Sequence, residues 1–95
     1  NGLMKSHSEL YLLGYSTSKS QTERYHALEL GVEKLGIKTV VNHLSMEITK
    51  NLSKTIPPSN AINIWIEDIK WLKETFGSRY PNFNWPKEYR SLNHA

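Results

Sequence analysis

Ser20-Gln21-Thr22-Glu23-Arg24-Tyr25-His26-Ala27-Leu28-Glu29-Leu30-Gly31-Val32-Glu33-Lys34-Leu35-Gly36-Ile37-Lys38-Thr39-Val40-Val41 is the stretch whose reading decides the fold. Ser20 with Glu23 three residues on is a capping box: the hydroxyl serves an orphan amide of the first helical turn, and the carboxylate reaches back to the Ser20 amide. Tyr25, Leu28, Val32 and Leu35 then recur at i, i+3, i+7 and i+10, one apolar stripe on a helix. Gly36, just past the last of them, is the residue that can take the positive φ with which many helices close. Ile37, Val40, Val41, Leu44 and Ile48 restart the helical period at once, so a second helix follows with a one-residue break.

Beyond the second helix, Asn51 to Asn60 carries Pro57 and Pro58, which lack amide hydrogens and push their predecessors out of the helical region, so a loop intervenes. A third helix is predicted from Ser59 or Asn60 as N-cap to Gly77, with Ile62, Trp65, Ile66, Ile69, Leu72 and Phe76 on its core side. Ile64 and Trp71 fall on its far side and need a cover. The following Tyr80-Pro81-Asn82-Phe83-Asn84-Trp85-Pro86 can form neither helix nor central strand and is predicted to run extended, either over Ile64 and Trp71 or as part of a docking surface with them. Upstream, Leu10-Tyr11-Leu12-Leu13 is a short apolar cluster ending at a Gly14–Lys19 turn. The prediction is thus an all-α, compact three-helix domain, with helices at about 20–35, 37–51 and 60–76 and an extended aromatic and proline-rich C-terminal tail. Residues 1–9 are expected as a flexible lead, 10–86 as a single helical domain and 87–95 as a flexible tail.

Ninety-five residues leave room for one small core, and 38% hydrophobic against 22% charged residues is ordinary globular usage. Mean hydropathy is −0.56, and no run reaches the roughly 18 to 20 apolar residues of a membrane span. Without cysteine there is no disulfide framework, thiolate metal site or thiol nucleophile, and the composition suits a soluble domain of a reducing compartment. His7, His26, His43 and His94 have no metal-ligand spacing, and Glu67-Asp68 point to different faces of one helix rather than into a cleft. No cofactor, metal or catalytic group is expected, and the domain reads as a binding module rather than an enzyme.

Two surfaces could bind. The net charge is +3, and from Lys34 to Lys54 four lysines stand against Glu47 alone. Lys34, Lys38, Thr39, Asn42, Lys50 and Lys54 are therefore the candidate phosphate-contacting residues of a nucleic-acid binder. Ala27, Gly31, Val32, Ile37 and Val40 also match the spacing of a helix-turn-helix, with close packing at Ala27 and a tight turn at Gly31, although Gly36 would then fall inside the recognition helix. The favoured reading ends the first helix at Gly36 instead. The second surface is apolar: Leu30, Ile64, Trp71, Phe83 and Trp85 are the candidate anchors for another protein or a second copy of the chain, the slightly favoured function because +3 is thin for a dedicated DNA binder.

Gly14-Tyr15-Ser16, Arg24, Ala27-Leu28, Gly31-Val32, Gly36, Val40-Val41, Leu44-Ser45, Asp68, Trp71-Leu72-Lys73 and Phe76 together resemble an uncharacterised small helical domain in proteins of large double-stranded DNA viruses of eukaryotes. The resemblance covers residues 11–76. Two departures stand: the basic segment that often precedes the domain in that family is missing, and the Tyr80–Pro86 tail lies outside the pattern. What the likeness implies is context: a non-enzymatic viral protein, associated with the virion or the genome, found in the virion or in the cytoplasm or nucleus of the infected cell. Within that pattern Arg24 and Asp68 are the polar residues expected to form a structural ion pair.

Overall fold

The computed structural model describes residues 5–86, with side chains from residue 9 onward. The described residues are all-α, with no strand among them: α1 Lys5–Leu12, α2 Gln21–Leu35, α3 Ile37–Leu52 and α4 Ser59–Phe76, followed by a 3-10 turn Gly77–Arg79. The three predicted helices are present within a residue of their expected ends. The chain divides into two compact units, Asn1–His43 and Leu44–Ala95, with the division inside α3. Residues 87–95, expected as a flexible tail, lie outside the described residues.

In the first unit the helix absent from the sequence reading is α1, which takes in part of the expected lead. It ends in a Schellman motif: the Tyr15 amide donates to the Leu10 carbonyl at 3.3 Å and the Gly14 amide to the Tyr11 carbonyl at 2.9 Å. Gly14 supplies the required positive φ of 105°. Leu10 and Tyr15, the apolar pair that usually accompanies this motif, are both buried. The run that looked like a turn after an apolar cluster is thus the cap of a helix.

Helix α2 opens on the expected box. The Glu23 amide donates to Ser20 Oγ at 3.2 Å, and the Ser20 amide donates to Glu23 Oε1 at 3.1 Å. Its buried face differs from the predicted stripe. Arg24, Ala27, Leu28, Gly31 and Val32 are buried, whereas Tyr25 and Leu35 are only half-buried. The true stripe is centred about one turn-angle away, on Arg24 and Gly31, two residues that a hydropathy pattern passes over.

Gly31 explains that shift. A Cβ built there would stand 3.0 Å from Leu10 Cδ1 and 3.0 Å from Val40 Cγ2, so α1 and the first turns of α3 both close on the bare α2 backbone. The turn that helix-turn-helix spacing requires at this residue is absent, because Gly31 lies inside α2. The break falls at Gly36, whose amide donates to the Val32 carbonyl at 3.0 Å and whose carbonyl accepts from the Val40 amide at 3.2 Å, closing one helix and opening the next. Its φ of 94° is what limits the junction to one residue.

In the second unit Leu44 and Ile48 of α3 are buried with Ile62, Ile66, Ile69, Leu72 and Phe76 of α4. Trp65, expected in the core, is half-buried. Two expected caps are corrected. The N-cap of α4 is Pro58, one residue before the predicted serine, with its carbonyl accepting from the Ile62 amide at 3.0 Å and no side-chain cap; proline's fixed φ already suits a helix entrance. Gly77 is right-handed at φ −56°, so α4 tightens into the 3-10 turn rather than ending in a left-handed glycine. Beyond it the Phe83 amide donates to the Tyr80 carbonyl at 3.1 Å, which makes a turn where an extended run was expected.

Two measurements check this description. The box holds the Glu23 carboxyl below the usual glutamate range through the hydrogen bonds from the Ser20 amide and hydroxyl, with Lys19 adding attraction. A lowered folded pKa gives stability that is present above the ordinary glutamate range and lost as pH falls through the lowered value. Losing the N-cap hydroxyl in Ser20→Ala should cost about 1 kcal/mol at neutral pH, and chemical denaturation in acid should show the gap to the parent chain narrowing. Gly31→Val should cost about 2 kcal/mol or more by overpacking against Leu10 and Val40, whereas Gly36→Ala, in open space, should lose about 1–2 kcal/mol through φ strain alone.

Candidate interaction surfaces

The lysines first assigned to phosphate contact are divided between the units. In the first, Lys34 lies in the last turn of α2 and Lys38 in the first turn of α3, both exposed, with Asn42 exposed and Thr39 half-buried. Neither lysine enters an ion pair among the described residues. In the second unit Lys50 and Lys54 are exposed, but Lys50 Nζ lies 3.8 Å from Glu47 Oε2, which offsets part of its charge locally.

The apolar anchors selected from the sequence are less open than expected. Leu30 in the first unit and Ile64, Trp71, Phe83 and Trp85 in the second are all half-buried. The rings pair locally: Phe83 and Trp85 meet edge to face with centroids 4.9 Å apart, and Trp71 meets Phe76 in the same manner at 6.0 Å. Arg79 lays its guanidinium over the Phe76 ring at 4.6 Å. An open depression of about 340 Å³ beside Ile64 is bordered by Asn60, Asn63, Glu67 and Lys70, a mostly polar rim.

Other apolar side chains are the exposed ones. In the first unit Tyr11 and Leu12 are 67% and 78% exposed. Among the described side chains of α1 Leu10 is the buried one, and at 100° per residue Leu12 points about 200° away from it, so its exposure follows from helix geometry. In the second unit Met46 stands opposite the buried stripe of its own helix, and Ile56, in the loop before α4, is 85% exposed. A shallow depression of about 310 Å³ adjoins Met46, lined also by Ser45, Thr49 and Lys50. The signal that could have found Tyr11 and Leu12 is the apolar-Gly-apolar sequence Leu13-Gly14-Tyr15, which marks a helix end and hence a preceding helix with two faces.

Arg24 and Asp68 are buried charged residues, 5% and 0% exposed. Arg24 Nη1 donates to the Lys19 carbonyl at 3.3 Å, just outside the capping box, and its guanidinium lies 5.9 Å from the Tyr25 ring centroid. Asp68 sits on the flank of the α4 stripe, between the Leu72 side and the Trp71 side. Every buried side-chain nitrogen and oxygen among the described residues has a hydrogen-bond partner, so neither side chain leaves a buried polar atom unsatisfied. Both belong to the framework rather than to a surface.

Among the described residues no three His, Cys, Asp or Glu side chains gather to hold a metal, and no helix is long and apolar enough to cross a membrane. Arg24→Met should lower stability by about 1–3 kcal/mol, far more than a surface change, because the Lys19 carbonyl loses its donor inside the unit. Thermal or denaturant melting reads the difference, and a shift within about ±0.5 kcal/mol would contradict the framework role. Compared with family models, curated proteins and solved structures, the chain matches none.

Proposed function

We propose that the chain is a non-enzymatic helical interaction domain that docks another protein, with Tyr11 and Leu12 as its principal anchor. The observation that carries this reading is their exposure, side by side, on a helix whose other face is already spent on Leu10 and the Gly31 contact. Burying a leucine or an aromatic of this kind contributes about 1.5–3 kcal/mol, which is the scale of an interface anchor. The half-buried Leu30 of the same unit adds apolar edge, as Met46, Ile56, Trp71, Phe83, Trp85 and Ile64 do in the other. The sequence resemblance supports a viral setting, a structural or virion-associated component of a large DNA virus, as the context for such docking.

Nucleic-acid binding is the second reading, favoured by Lys34 and Lys38, which are exposed and without an ion pair among the described residues. It no longer draws on a helix-turn-helix.

A photo-crosslinking residue at position 12, compared with one at exposed Glu29, tests the first reading in a whole-cell extract of the natural setting. The expected result is one discrete crosslinked species from position 12, lost on Tyr11→Ser, while melting stays within about 0.5 kcal/mol of the parent. Equal crosslinking from both positions would overturn it. A duplex-DNA titration at about 50 and 200 mM salt reads the second: two phosphate contacts give about a tenfold loss of affinity over that range, removed by Lys34→Gln with Lys38→Gln.

A further inference from the structure

Asn51-Leu52-Ser53 is an Asn-x-Ser acceptor sequence for N-linked glycosylation, a class of site normally found on an exposed loop. Here Asn51 and Leu52 end α3 and Ser53 follows in the turn. Asn51 is 6% exposed, and its Nδ2, the atom a glycan would be attached to, donates to the Glu47 carbonyl at 2.8 Å and lies 3.5 Å from Glu47 Oε1. At 100° per residue Asn51 falls within the same stripe as Leu44 and Ile48, so the amide is turned inward with the core residues of the second unit. The hydroxyl that completes the acceptor sequence is engaged as well: Ser53 Oγ donates to the Lys50 carbonyl at 2.8 Å. The backbone between them is held by the Lys54 amide, which donates to the Asn51 carbonyl at 3.3 Å.

We infer that this acceptor sequence is open only in the unfolded chain, and that folding of the α3 end and glycosylation of Asn51 exclude one another. Transfer from a lipid-pyrophosphate-linked oligosaccharide forms a bond between Asn51 Nδ2 and the sugar C1, breaks the C1–O bond to the pyrophosphate, and releases one Nδ2 proton and the lipid pyrophosphate. It needs the amide free, the hydroxyl free and room for a sugar. The folded chain withholds all three. A glycan added first would leave Asn51 unable to return to its buried position, because a polar oligosaccharide cannot follow it.

The test uses the intact folded chain, an oligosaccharyltransferase and a lipid-pyrophosphate-linked oligosaccharide, with a twelve-residue peptide spanning 46–57 as the unfolded comparator. Isolated helices this short are marginal in water, so the peptide presents the same acceptor sequence open. Mass spectrometry reads the modified fraction with time, and Asn51→Gln in both locates the site. The expected result is a modified peptide and a folded chain modified at least a hundredfold more slowly. Modification of the folded chain within severalfold of the peptide rate would overturn the inference. So would a peptide that is never modified, since the sequence would then be no acceptor at all.

Discussion

A missing side chain organises the first unit. Because Gly31 has no Cβ, Leu10 of α1 and Val40 of α3 can both come to rest on the α2 backbone, each 3.0 Å from where that carbon would be. The helix interior tolerates glycine at a cost of about 1 kcal/mol relative to alanine, an expense that only close packing offsets. Two other placements follow from the same approach. Leu10 can be buried only if α1 is terminated promptly, which Gly14 does through its positive φ, and Val40 can reach Gly31 only if α3 starts directly after α2, which Gly36 does through its own.

How much of this was legible differs from helix to helix. Helices α3 and α4 could be read because their buried sides are built of β-branched and aliphatic residues at an uninterrupted helical period. The capping box placed the start of α2 to the residue. Its buried face was misread because Arg24 and Gly31 occupy the middle of the stripe, and an apolar count shifts toward Tyr25 and Leu35, which lie at its margin. Helix α1 was missed for a related reason: its one buried side chain with described surroundings, Leu10, gives no period. The cap of α4 was misplaced because serine is the better capping side chain, yet Pro58 needed no side-chain bond to begin a helix.

The candidate sites were less legible than the fold. A sequence shows which residues are apolar or charged, but exposure depends on what else the fold brings over them. Trp71, Phe83 and Trp85, read as candidate anchors or as a packed tail, are half-buried in ring pairs, while Tyr11 and Leu12, read only as part of a short apolar cluster, are exposed. The lysine run behaved similarly, since Glu47 sits one turn from Lys50 and answers part of its charge. Asn51 is the sharpest case. It belongs to an acceptor sequence of a kind normally found on an exposed loop, and in the fold it is a buried amide closing the last turn of α3.

The measurement that tests the central packing claim most directly is a proton NMR nuclear Overhauser experiment on the intact chain, reading cross-peaks between the Gly31 α-protons and the methyl groups of Leu10 and Val40. Strong cross-peaks to both are expected at the separations found here. A well-dispersed spectrum in which Gly31 shows contact with neither methyl would mean that α1 and α3 do not meet on α2, and the surfaces assigned to Tyr11 and Leu12 would lose their basis.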